Sequence, residues 1–192
     1  MKKMKLLTPL FIILTYISFA QDLPTWSADV AHSNLGFKVS HKAISNTIGD
    51  FRDFDLVVTT PNDNFEDAKI KMVIETASIN TANSSRDEHL RSEDFFDAER
   101  YPQIIFTSSS ITAKNDNTYD VKGTLNMHGV EKELILNMTH NGSTTSRSGS
   151  ELAGLYFSTI FKRSDFKIGV DMPNTVVADD ILLNAEIEIV KQ

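Results

Sequence analysis

The sequence predicts an all-β domain of about eight antiparallel strands, arranged as a closed barrel or a sandwich. Beyond Trp26, apolar and polar residues alternate with a period of two over most of the chain. Such alternation is typical of strands with one face on an apolar interior and the other in water. Clusters of Asn, Asp, Gly and Pro separate the alternating runs, as turns do. About eight runs in roughly 170 residues suit these two architectures.

The N-terminal residues have the composition of a secretion signal. Three lysines within the first five residues give a basic start, and an apolar run follows at residues 6–19. Ser18 and Ala20 occupy the small-residue positions of a cleavage site, so we expect cleavage near Ala20. The run is shorter than the roughly 20 residues that span a membrane, which favours a cleaved signal over a retained anchor. The sequence therefore predicts a periplasmic or secreted protein with one domain at residues 21–192.

Composition excludes several classes of function. The chain has no cysteine, which removes disulfides, thiolate metal sites and cysteine nucleophiles. Its formal charge is −7, and because the predicted signal holds three lysines and no acid, the mature chain carries −10. A protein that binds nucleic acid needs a basic face for phosphate contacts. We therefore expect no nucleic-acid partner.

The alternating runs predict the strands in chain order. The last run is the most regular, since it alternates five aliphatic residues with polar ones almost to the C-terminus. The apolar members of the runs are Leu35, Phe37 and Val39; Phe54, Leu56 and Val58; Ile70, Met72 and Ile74; Tyr119, Val121, Leu125 and Met127; Leu134, Leu136 and Met138; Leu155, Phe157 and Phe161; and Ile181, Leu183, Ala185, Ile187 and Ile189.

One segment breaks the alternation and predicts a short helical insert around residues 85–97. Ser85 and Glu88 have the spacing of a capping box at a helix start. The insert either plugs or gates one end of the β structure or crosses over its outside, and the pattern alone leaves both open. Its apolar residues would point toward the β interior; they are Leu90, Phe95 and Phe96.

An ordered set of motifs runs from Trp26 to about Val190. The longest is Arg-Asp-Glu-His-Leu-Arg-Ser-Glu-Asp-Phe-Phe-Asp at residues 86–97. Together the motifs resemble the YceI-like family of exported bacterial lipid-binding proteins. Lys167 departs from the family, which usually has Gly there. The other matches are Trp26, Asp29, His32 and Ser33; Phe37, Val39 and His41; Gly49, Phe51 and Phe54; Tyr101-Pro102 and Phe106-Thr107-Ser108; Gly123-Thr124-Leu125 and His128-Gly129-Val130; and Arg163 with Asp165-Phe166.

The resemblance implies an extended eight-stranded antiparallel barrel, lipocalin-like in shape, that holds a polyisoprenoid or similar lipid in its lumen. It also implies a protein that is not an enzyme and has no cofactor besides the bound lipid. The expected function is binding, transport or storage of a long apolar lipid in the periplasm. The negative net charge favours a neutral head group, as in a polyprenol, an isoprenoid quinone or a fatty amide, over a diphosphate.

The candidate ligand-binding residues are those that the pattern predicts to point into the interior. An eight-stranded barrel has room for interior side chains or one slim ligand. The candidates are Phe37, Val39, His41, Phe54, Leu90, Phe95, Phe96, Phe106, Leu125, Leu134 and Phe157, and the apolar ones could equally be ordinary core. The candidates for a cationic mouth that binds a head group are Arg86, Arg91 and Arg100.

Other polar residues allow competing interpretations. The five histidines lack the i, i+4 pairing of a helical zinc site, so we expect no metal. We expect Arg86 and Asp87 to tie the insert to the barrel, and Arg163 and Asp165 to be structural. Two alternatives remain: an enzyme that acts on a lipid or quinone through His41 and a nearby carboxylate, and a ligand-free structural or stress protein. A membrane surface and a second copy of the chain are partners that the sequence leaves open.

Overall fold

The computed structural model describes residues 23–61 and 65–192, and the predicted signal lies outside these residues. Ten strand segments form one antiparallel sheet that closes on itself. The segments are β1 Thr25–His41, β2 Ser45–Phe51, β3 Phe54–Thr59, β4 Lys69–Glu75, β5 Ile79–Asn80, β6 Gln103–Asn115, β7 Thr118–Met127, β8 Val130–Thr145, β9 Glu151–Lys162 and β10 Val177–Lys191, with one helix, α1, at Ser84–Arg91.

The ten segments make eight barrel strands because two of the strands are interrupted. β2 and β3 both pair with β1 and are separated only by Arg52 and Asp53. β4 and β5 pair with β3 and β2, and the 3-10 turn Thr76–Ser78 separates them. β6 to β10 follow as a meander, and β10 pairs with β1 to close the barrel. The predicted all-β fold, an eight-stranded antiparallel barrel with a short helix, is confirmed.

The two ends of the barrel differ. At the end where β1 begins, which we call the closed end, aromatic and long aliphatic side chains fill the interior. Trp26 and Phe65 lie there with ring centroids 6.1 Å apart, and Tyr119 and Met138 are almost fully buried beside them in the same core. The other end, which we call the mouth, is formed by four connections. They are the β1–β2 turn, α1 with residues 92–102, the β7–β8 turn, and the β9–β10 connection at residues 163–176.

The helical insert lies at the mouth and is shorter than predicted. Its N-cap is Asn83, whose side-chain oxygen accepts a hydrogen bond from the Arg86 amide at 3.0 Å. The predicted capping box at Ser85 was therefore wrong. The buried Asp87 carboxylate accepts hydrogen bonds from the amide and hydroxyl of Thr81, which immediately follows β5. These bonds fix the start of α1 to the barrel wall. No helix among the described residues is long and apolar enough to cross a membrane.

Candidate functional site

A cavity enters the barrel at the mouth and continues inward as three adjoining compartments. The outer one has a volume of about 260 Å³, the middle one about 110 Å³ and the deep one about 30 Å³. The outer and middle compartments share the side chains of Phe37, Val39, Leu90, Phe95 and Val177. The middle and deep compartments share those of Ile74, Leu125, Phe161 and Leu183. Because neighbouring compartments share lining residues, they lie one after another along the barrel, and their volume decreases toward the closed end; we call this succession the path.

The walls of the middle and deep compartments are carbon almost throughout. The middle compartment is lined by aliphatic and aromatic side chains, with Arg163 as its one charged lining residue. The deep compartment is also apolar, and Thr159 is the polar residue at its wall. An apolar cavity of this kind does not hold ordered water well, because water needs polar partners there. Its chemistry favours a hydrocarbon guest.

Most of the predicted lining residues meet at this cavity. The middle compartment contains Phe37, Val39, Leu90, Phe95, Phe96 and Leu125; the deep one adds Phe106, Leu134 and Phe157; and His41 lies at the outer one. Phe54 lies elsewhere: it points inward but packs in the core without lining any of the three compartments. The alternating pattern correctly predicted that the Phe54 side chain points into the barrel. The cavity, however, lies at other levels along the barrel axis.

The three predicted mouth arginines have different positions. Arg86 lines the outer compartment, and its guanidinium donates to the hydroxyl and carbonyl oxygens of Thr81 at 2.7 and 2.8 Å. Arg91 is committed to the backbone, since it donates to the carbonyls of Ala77 and Ile79. Arg100 lies over the ring of Tyr101, 5.3 Å from its centroid. Only Arg86 of these three side chains therefore faces the cavity.

The mouth carries the polar groups of the site. His41, Thr47, Arg86 and His89 line the outer compartment together with apolar side chains. His89 is hydrogen-bonded to Asp94 at 3.1 Å. Among the described residues, no Asp or Glu lines any of the three compartments, so His41 has no carboxylate beside it at the cavity wall. The histidine–carboxylate pair at the mouth is therefore His89 with Asp94, and not the pair with His41 that the enzyme hypothesis named.

Arg163 organises the long connection at the mouth. Its side chain is only 4% exposed. Its guanidinium donates to backbone carbonyls along residues 168–178 and to the Asn174 side chain. Lys167, which stands where the family usually has Gly, adopts a left-handed φ of 58°, a conformation that Gly reaches at lower cost. The bonds from Arg163 hold this connection in place, with Ile168 and Val177 at the cavity wall.

A second polar cluster lies on the outside of the barrel, and sequence spacing did not reveal it. Asp29 and Glu188 are directly opposite each other on β1 and β10, and His32 lies on an irregular stretch of β1 beside them. His32 Nδ1 donates a hydrogen bond of 3.0 Å to the Asp29 carboxylate, which raises the pKa of His32 and lowers the pKa of Asp29. The three side chains have the chemistry of metal ligands; His32 is exposed, Asp29 and Glu188 are half-buried, and Asp29 already accepts the hydrogen bond from His32.

Several lining residues were missed by the sequence reasoning. Ile74, Phe161, Ile181 and Leu183 have inward parity in predicted strands, so a full parity list would have contained them. Ile168, by contrast, lies in the irregular β9–β10 connection, where no periodicity signals its direction. The alternation along the strands therefore predicts the residues of the cavity wall, whereas the residues of the irregular connections at the mouth can be identified only from the structure.

Comparison with known proteins places the chain in a family. Residues 26–189 match the YceI-like domain. A UPF0312 protein of Photorhabdus laumondii is 35% identical over 155 residues, which cover 81% of this chain and 80% of that protein. The crystal structure of a Campylobacter jejuni YCEI protein superimposes with a TM-score of 0.73 at 35% identity, and the match covers 85% of this chain and 96% of that one. A polyisoprenoid binding domain from Saccharophagus degradans has the same fold, with a TM-score of 0.69 at 17% identity over 87% and 98% of the two chains. The protein described here belongs to the YceI-like family.

Proposed function

We propose that this protein binds a long apolar lipid in the barrel lumen and carries or stores it in the periplasm without changing it chemically. The observation that carries the proposal is the apolar path from the mouth to the deep compartment. The Saccharophagus domain of the same fold, described as polyisoprenoid binding, adds support for a lipid ligand. Export after cleavage near Ala20 belongs to the same proposal and is supported by the composition of residues 1–20.

The shape of the cavity favours a slender chain. β10 lines it at Val177, Ile181, Leu183 and Ala185, from the outer compartment to the deep one. Eight residues of strand extend about 26 Å at roughly 3.3 Å per residue, and strand tilt shortens this along the axis. Each methylene buried there contributes about 0.8 kcal/mol, less the cost of ordering the chain. Affinity should therefore rise with chain length until the deep compartment is filled.

The mouth favours a small, neutral head group that accepts hydrogen bonds. Thr47 and His41 offer donors there, whereas His89 already bonds to Asp94 through Nε2 and Arg86 already shares its guanidinium with Thr81. The mature chain carries a formal charge of −10 and repels a diphosphate at long range. A hydroxyl, a quinone carbonyl or an amide fits these groups, so we propose a polyprenol, an isoprenoid quinone or a fatty amide.

Native mass spectrometry of protein freshly purified from bacteria tests the proposal. We expect one lipid per chain, released on denaturation. Leu125 contributes to both the middle and the deep compartment, so Leu125→Asp should remove most of the bound lipid, because a buried carboxylate disfavours an apolar guest. Phe96→Asp should act in the same direction from the mouth side.

Glu186→Lys is the matched control, because Glu186 is exposed on the outer face of β10. This variant should retain lipid like the wild type, and circular dichroism should show that all variants are folded. A wild-type protein without lipid, or equal lipid loss in Leu125→Asp and Glu186→Lys, would contradict the proposal.

A further inference from the structure

The hairpin formed by β1 and β2, residues 37–49, differs in charge from the rest of the protein. It contains Lys38, His41 and Lys42 and no acidic residue. The mature chain as a whole, hairpin included, carries a net charge of −10. The hairpin is therefore a local basic element on an acidic protein, and because salt screens charges beyond about 8 Å, its lysines act on a surface in contact with it more strongly than distant acidic residues do.

The same hairpin exposes large apolar side chains at the mouth. Ile44 is 85% exposed and Ile48 is 68% exposed, the highest values among the large apolar residues that the structure describes. Ile44 follows a tight turn, closed by a hydrogen bond from its amide to the His41 carbonyl at 3.2 Å. The opposite face of the hairpin lines the cavity through Phe37 and Val39. The hairpin thus forms part of the cavity wall on one face and an exposed aliphatic surface on the other.

The apolar surface continues from the hairpin around the outside of the barrel. Ile48 is paired with Lys38, Lys38 with Leu182 on β10, and Leu182 with Ile160 on β9. Ile160 is 65% exposed. Leu182 lies between Ile181 and Leu183, which line the cavity, so its side chain points outward. We call the set Lys38, Lys42, Ile44, Ile48, Ile160 and Leu182 the hairpin surface.

We propose that the hairpin surface docks on an anionic phospholipid bilayer and brings the mouth of the cavity to the membrane. Aliphatic side chains enter the boundary between head groups and acyl chains, while lysines reach back to anionic head groups. The inference rests on the proposed function, because a lipid carrier has to receive its ligand from a membrane or deliver it to one.

The charge of the hairpin favours a bilayer over a second copy of the chain. In a two-fold symmetric dimer the same patch meets itself, so Lys38 and Lys42 would lie close to their own copies. Residues 45–49 of β2 pair with β1 on one side, and β2 pairs with β5 on the other side only at Asp50 and Phe51. Unpaired backbone groups are costly in hydrocarbon, so docking is limited to the head-group region.

Flotation with phospholipid vesicles tests the inference. The wild-type protein should float with vesicles of phosphatidylcholine and phosphatidylglycerol, and less with phosphatidylcholine alone. The double variant Ile44→Ser/Ile48→Ser should bind about tenfold more weakly, because it removes two aliphatic anchors. Lys38→Gln/Lys42→Gln should remove the preference for the anionic vesicles. Leu23→Ser is the control, since Leu23 is also an exposed aliphatic residue but lies beside the closed end.

Fluorescence gives the orientation on the membrane. Trp26 is the single tryptophan and is buried at the closed end, so its emission should not respond to vesicles. Ile44→Trp adds a reporter at the tip of the hairpin, and its emission should shift to shorter wavelength when anionic vesicles are added. Leu23→Trp should show no such shift.

Lipid occupancy, measured on the same samples by native mass spectrometry, separates this inference from the proposed function. Retained lipid with no vesicle binding overturns the docking inference and leaves the carrier function standing. Vesicle binding by a protein that never holds lipid supports docking and overturns the carrier function. Equal weakening by Ile44→Ser/Ile48→Ser and Leu23→Ser, or a stable dimer that the double variant dissociates, also overturns the inference.

Discussion

Replacing Arg163 by methionine should destabilise the barrel strongly, although methionine fills a similar volume. The buried guanidinium donates to the carbonyls of Ile168, Gly169, Met172, Val177 and Ala178 and to Oδ1 of Asn174. The variant leaves these acceptors in an environment with few other donors. We expect the irregular connection at the mouth to lose its order first, because the side chain holds both of its halves.

The size of the effect follows from the number of bonds and their burial. Hydrogen bonds to a charged group contribute about 1.5–3 kcal/mol each, but the variant also removes the cost of burying the guanidinium, which offsets most of their sum. A domain of this kind has a free energy of unfolding of about 5–15 kcal/mol. Arg163→Met should therefore lose about 3–5 kcal/mol, measured by equilibrium urea denaturation.

Arg147→Met provides the control, because Arg147 is exposed in the β8–β9 turn. It should change the free energy of unfolding by no more than about 0.5 kcal/mol. Hydrogen exchange should show faster exchange in residues 168–176 of Arg163→Met than in the strands. A loss below about 1 kcal/mol for Arg163→Met would refute the reasoning, because it would mean that solvent replaces the guanidinium without cost.

Two further predictions concern the strand packing and the outer polar cluster. Gly123→Ala should cost about 1–3 kcal/mol in thermal or urea unfolding, because the added Cβ would overlap the Phe106 ring, and unchanged stability would contradict this packing. In NMR titrations, His32 should have a pKa above about 6.5, and Asp29→Asn should lower it. The stabilisation from this pair should be present below about pH 6.5 and lost as pH rises through the raised pKa. An identical His32 pKa in both proteins would count against the hydrogen bond.

The alternating pattern predicted the barrel walls well, because period two directly reports which face of a strand is buried. Along β10, Ala185, Ile187 and Ile189 are buried, and Glu186 between them is exposed. The same parity selected Phe106 and Leu125, which meet at the deep compartment. These signals are local, so a single sequence contains them.

Position along the barrel axis could not be predicted in the same way. The side chains of Phe54 and Phe106 both point into the barrel, yet Phe106 lines a cavity and Phe54 packs in the core. The difference depends on which side chains meet across the barrel. The pairing of Asp29 with Glu188 also depends on the register of two strands from opposite ends of the chain. The helix cap at Asn83 depends on where β5 ends, which the spacing of Ser85 and Glu88 does not report.

The packed closed end leaves the mouth as the opening through which a ligand enters and leaves the barrel. Trp26 and Phe65 obstruct that end, so a guest leaves by the opening through which it entered. Under the proposed function, a lipid enters tail first and leaves head first, so its head group stays at the mouth while the lipid is bound. We therefore expect the rate of ligand exchange to be limited by movement of residues 163–176, which Arg163 holds in place.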